Sequence, residues 1–147
     1  MTTVAGTGTP FASGVSSNTP GTTTFYLVDS VGNCSSTSAS VDIIVNSNPL
    51  IDTTLMVIDT ASCDGSLDGG LTNINVTGTG PLTYVWSDAS GVVSTSGSTP
   101  DLTPFATGTY TLVVTDGNTP ACSATLTNLV INAFNQPPAP TLNISTD

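Results

Sequence analysis

Lysine, arginine, histidine and glutamate are all missing from this 147-residue chain, so its ten formal charges are aspartates. Each absence excludes something. Nucleic-acid binding rests on cations that neutralise phosphates, and this chain has no cationic side chain. Anionic membrane surfaces repel a chain of net charge −10. The most frequent general base and the Schiff-base amine are both lacking, so the chain is not expected to be an enzyme. A pair of aspartates could still exchange protons, but no motif places one. Gln136 is the only glutamine, so most strong surface helix formers are gone as well. No run of 18 apolar residues is present to span a bilayer as a helix, and membrane insertion is not expected. The opening Met1-Thr2-Thr3-Val4-Ala5-Gly6 has neither the basic nor the apolar region of a signal peptide, which places any export signal outside this segment.

What remains is a composition for strands and turns. Ser and Thr account for 46 residues, with Val, Gly and Asn prominent beside them. One-signed charge suggests a disordered acidic tail. Against that, mean hydropathy is positive at +0.24, and the apolar residues fall in alternating runs.

Two stretches of the chain read alike. Thr23 to Cys34 carries an aromatic strand, a Gly-Asn turn and a cysteine, followed by the apolar strand Val41 to Asn46. Gly108 to Asn118 repeats the pattern, followed by Cys122 and a closing strand that ends at Val130-Ile131-Asn132. Repeats of this kind set module boundaries. The second copy closes a module at about residue 134. The first closes one at about residue 48, with too few residues before it for a whole module. The organisation expected is therefore the C-terminal part of a module over 1–48, a complete module over 50–134, and a linker with the first strand of a third module over 135–147. Pro49 and Pro137-Pro138-Ala139-Pro140 suit stiff, extended linkers.

Within residues 50–134 the sequence reads as about seven short strands separated by turns. The first expected strands are Thr54 to Ile58 and Leu71 to Thr77. Leu82, Tyr84 and Trp86 alternate with Thr83, Val85 and Ser87, and Tyr110, Leu112 and Val114 alternate likewise, which puts large residues on one face. Imperfect alternation in the last strand suggests a bulge. The fold class expected is all-β, with tandem immunoglobulin-like β-sandwich modules, one complete and flanked by partial ones.

Few side chains remain to carry chemistry. Trp86 and Tyr110 sit at core positions of such a sandwich, and the competing reading is a sugar-stacking surface. Cys63 and Cys122 are the candidate disulfide, fastening one end of the module, against the alternative of three reduced, buried thiols. Cys34 corresponds to Cys122 in the repeat and is expected to be unpaired in this chain. Asp64, Asp68 and Asp116 could gather at one end around a calcium ion, although Asp-Gly is also the ordinary turn dipeptide. No other cofactor is expected.

The run Cys63-Asp64-Gly65-Ser66-Leu67-Asp68-Gly69, then Asn73 to Gly78, Pro81 to Ser87, Leu102 through Gly108 to Asp116, and Cys122, resembles the SprB-type repeat. Such repeats occur in gliding-motility and cell-surface adhesins of Bacteroidota. The resemblance covers about residues 55–132, and residues 20–48 look like the second half of a related module. It departs at Asn118-Thr119-Pro120-Ala121, longer than the family's usual turn before the cysteine. The resemblance implies type IX secretion, an extracellular cell-surface location, and O-glycosylation of Asp-Ser/Thr motifs. Three motifs match, giving Ser30, Thr53 and Thr60 as candidate acceptors; the alternative for each is an ordinary strand hydroxyl. Many surface adhesins lock their modules with a Lys–Asn amide crosslink, which a chain without lysine cannot make.

Two functions follow as expectations. The first is a structural and adhesive repeat of a large secreted adhesin filament, with neighbouring modules, surface glycans or other filament components as partners. The second is a carbohydrate-binding or spacer module of a secreted polysaccharide-degrading enzyme, which requires Trp86 and Tyr84 to form an exposed, coplanar platform.

Overall fold

A computed structural model of the chain describes residues 6–7, 12–96 and 99–134. The expected linker and strand over 135–147 lie outside them. All regular structure in the described residues is β-strand. The chain divides into two compact units, Met1–Ser47 and Asn48–Asp147.

The first unit is a hairpin. Strand β1 (Gly21–Leu27) pairs antiparallel with β4 (Ala39–Val45), and a small ribbon of β2 (Ser30–Val31) and β3 (Cys34–Ser35) lies between them in sequence. The Val31-Gly32-Asn33-Cys34 turn places Gly32 at φ 61°, where a residue without Cβ is least strained. No described residue of this unit is buried.

The second unit holds the core. Its strands are β5 (Leu50–Asp52), β6 (Val57–Asp59), β7 (Gly69–Thr72), β8 (Asn75–Thr77), β9 (Thr83–Asp88), β10 (Gly91–Ser96), β11 (Leu102–Phe105), β12 (Gly108–Thr115) and β13 (Ser123–Ile131). They form a four-stranded sheet in the order β10-β9-β12-β13, a three-stranded sheet in the order β11-β7-β6, and the pair β5-β8. Every pairing is antiparallel. A single parallel bridge, Ala61 to Ala133, ties the segment after β6 to the end of the unit.

Two of the expected strands depart from their expected bounds. Over Thr54 to Ile58 the chain first makes a turn, in which the Met56 N–H donates to Thr53 O, and only Val57 and Ile58 enter a strand, β6, while β5 lies before Thr54. Leu71 to Thr77 breaks at Asn73, whose φ of 57° cannot continue a strand. The bulge expected in the last strand is present: β13 shifts register opposite Tyr110 and Leu112, with Asn128 at φ 61°.

One core joins the two larger sheets. Leu71 and Leu102 come from the three-stranded sheet, and Tyr84, Trp86, Tyr110, Leu112, Val114, Leu129 and Ile131 from the four-stranded one. Period-two alternation is the cause. In β12 the residues between Tyr110, Leu112 and Val114 are threonine or valine and stay partly exposed.

Candidate functional site

The ends of the second unit gather its polar residues. At one end, the loop after β6 meets the corner before β12: Thr107 Oγ1 donates to Asp64 Oδ1 at 3.0 Å. Asp68 Oδ1 accepts from the Ser62 N–H at 2.9 Å. Ala61 joins the same end, because its N–H donates to Asn132 O and its carbonyl accepts from the Phe134 N–H. At the other end, the Gly117 N–H donates to Thr79 O, bringing the loop after β12 against the loop before β9.

Asp116 organises that second end. Its Oδ1 accepts from the Cys122 N–H at 2.7 Å and from the Asn118 N–H at 3.1 Å, while Asn118 Nδ2 donates to Oδ2. Burial pushes the carboxyl pKa up. The three hydrogen bonds, from Cys122 and Asn118, outweigh burial and leave it below the ordinary aspartate value. Asp68 is held low by the Ser62 side chain and N–H, and Asp52 by the Thr54 N–H and side chain.

This geometry corrects two expectations. Cys63 lies in the loop after β6, and Cys122 closes the loop after β12, so the full length of the eight-residue β12 separates the two ends. At a rise of ~3.3 Å per residue that is about 23 Å, far beyond the Cα separation a disulfide permits. Cys63 and Cys122 are accordingly free, as is Cys34, and Cys63 and Cys34 are exposed. The alternative of three buried thiols fails for those two as well. The same separation divides Asp64 and Asp68 from Asp116, so the three cannot share a calcium ion. Among the described residues no three metal-ligating side chains converge.

The aspartates have other work. Asp52, Asp88 and Asp116 each accept from the N–H two residues on, the local bond that closes an Asx turn. Asp101 reaches the Ile74 N–H at 3.3 Å, across 27 residues of sequence. The Asp-Gly and Asp-x-Ser patterns signal the short-range turns; nothing local signals the long-range bond.

No family model, curated protein or solved structure matches this chain. The site must therefore be read from its own aromatic residues.

Trp86 is fully buried, and its Nε1–H donates to Pro100 O at 3.0 Å. Tyr84 is only 7% exposed. Neither can stack on a sugar, so the expected alternative platform is not formed by these two rings. Tyr110 is buried too, edge-on to Phe105, with its hydroxyl donating to Ala106 O at 2.9 Å. Burial first, and the charge of Asp88 second, push its phenol pKa upward. The sequence placed Tyr110 near a corner but not its bond, which needs the tight Ala106–Gly108 turn to aim the carbonyl back.

Of the candidate glycan acceptors, Ser30 and Thr60 are exposed, and Thr53 is half-buried within the Asp52 turn.

Proposed function

We propose that the second unit is an immunoglobulin-like β-sandwich module, and that the chain is a non-catalytic, structural and adhesive segment of a secreted cell-surface filament. One observation carries the module reading. The strand orders β10-β9-β12-β13 and β11-β7-β6 share one core, with a buried tryptophan on β9 and a tyrosine whose hydroxyl bonds four residues back at the entry to β12. Immunoglobulin-like sandwiches combine these same devices, including the tyrosine corner. The resemblance to SprB-type repeats, with its implied type IX export, gliding-motility setting and O-glycosylation at Ser30, Thr53 and Thr60, fits a module of this kind.

A non-catalytic role is supported by the chemistry. Six aspartates are committed to turn and loop hydrogen bonds, and the chain offers no histidine or lysine to work with them. Burial of Tyr84 and Trp86 weighs against the carbohydrate-binding alternative.

The test is made on the cells that produce the protein. An antibody to the second unit should label intact cells and lose its signal after brief external proteolysis, and cells lacking the segment should attach less to surfaces. A signal confined to the cell interior would sink the reading. Retention on insoluble polysaccharide that survives mutation of every exposed residue except Tyr26 and Phe134 would favour the carbohydrate-binding alternative.

A further inference from the structure

The strand pairings of the first unit nest one inside another. Gly21 with Val45 is outermost, and the series runs inward through Thr24 with Asp42 to Leu27 with Ala39. Inside these, the Ser36 N–H donates to Asp29 O at 2.8 Å and the Asp29 N–H to Ser36 Oγ at 3.0 Å. Ser30 with Ser35 and Val31 with Cys34 complete the series at the Gly32-Asn33 turn. The chain thus enters and leaves the hairpin at two paired residues. A pull applied outside Gly21 and Val45 falls on that outermost pair alone, and each pair that parts hands the pull to the next. No described residue of the unit is buried, so no buried core joins the pairs into one cooperative block. Two-stranded hairpins are marginally stable in water by themselves.

The second unit has no such order. Its strand β12 is held on both sides, by β9 and β13, and side chains from two sheets share one core. Its first strands, β5 and β6, pair with β8 and β7 rather than with β13 at its other end. A pull on the two ends is shared among many contacts, which fail together in a cooperative domain.

We infer that the first unit is a reserve of length, opening under a light pull that leaves the second unit folded and closing again when the pull drops. Fully extended, Gly21 to Val45 spans about 80 Å, against ~5 Å when the two are paired. Hairpins close in about 1–10 μs, whereas sandwiches built on non-local pairing take milliseconds to seconds. The inference rests on the surface-filament reading only for the source of the pull.

The test stretches the full chain between handles at its two ends in a force spectrometer, with Cys34→Ser, Cys63→Ser and Cys122→Ser in place. A contour-length gain of about 75 Å is expected, at less than about half the force that unfolds the second unit. It should retrace without hysteresis on relaxation. In the same background, Thr22→Cys with Ile44→Cys puts thiols on a directly paired couple, whose Cα spacing suits a disulfide. Once that crosslink is confirmed, the early gain should shrink to roughly 10 Å, and reductant should restore it in the same molecules. Absence of the gain before the second unit unfolds, a gain that persists with the crosslink in place, or one rupture releasing both units together would each overturn the inference. Because purified chain is pulled, these results leave the cell-surface reading standing. Protein found only inside cells overturns that reading and leaves the measured gain intact.

Discussion

Single side chains decide the two ends of the second unit. The Tyr110 hydroxyl donates to Ala106 O, so Tyr110→Phe should lower stability by about 1 kcal/mol in urea unfolding with the m-value unchanged. An unaltered midpoint would show the corner bond to be idle. Asp116 makes a pH-dependent contribution whose sign is fixed by its lowered pKa. Its stabilisation is fully present above the ordinary aspartate value of 3.8, and it is lost as pH falls through the lower value of the folded state. Asp52 and Asp68 act in the same direction. Asp116→Asn should therefore flatten the acid limb of a stability–pH curve while leaving the neutral region less affected by pH. An acid limb as steep as that of the parent would refute the assignment.

At the scale of elements, close approach matters more than polarity. A Cβ on Gly69 at the start of β7 would meet Ile131 Cγ2 at 2.6 Å and the backbone of Ala61 and Asp59 at 3.1 Å. Gly69→Ala should cost about 1–3 kcal/mol, measured by thermal unfolding, because the backbone neighbours cannot rotate away. The Thr107–Asp64 bond sets the start of β12 beside the loop after β6, so the loop after β12, at the far end of that strand, falls at the opposite end. Intact mass without reductant should then equal the mass with reductant for monomeric chain; a two-dalton difference would contradict the arrangement.

Tyr110, Leu112 and Val114 announced their inward face by alternation, and Trp86 by its place on a polar-interleaved strand. The placement of Cys63 and Cys122 in or beside turns suggested a shared end, but a turn signal says nothing about which end of the unit the turn occupies. The Asp101–Ile74 and Ala61–Asn132 bonds were illegible for a related reason: they join residues distant in sequence, and in each the donor is a backbone N–H, which nothing local marks. The breaks at Asn73 and near Thr53 were hidden because each lies among interleaved threonine and apolar residues that read as strand.

For the whole molecule, the one-signed charge has a simple consequence. With no cationic side chain, every pair of charged side chains repels, and screening can only relieve the folded state. The melting temperature should rise when sodium chloride is raised from ~10 mM to ~150 mM, over which the Debye length falls from about 30 to about 8 Å. A falling melting temperature would point to attractive pairs that the composition does not contain. Near the isoelectric point of about 4.1 this protection disappears, and solubility should reach its minimum there.

The parallel bridge between Ala61 and Ala133 also determines how the second unit bears tension. The two segments run in the same direction, so drawing the start and finish of the unit apart slides one past the other along their length. The bonds from Ala61 to Asn132 and from Phe134 to Ala61 then stretch together, where an antiparallel hairpin peeled from its tip would release them singly. A shackle loaded in that way yields late and abruptly.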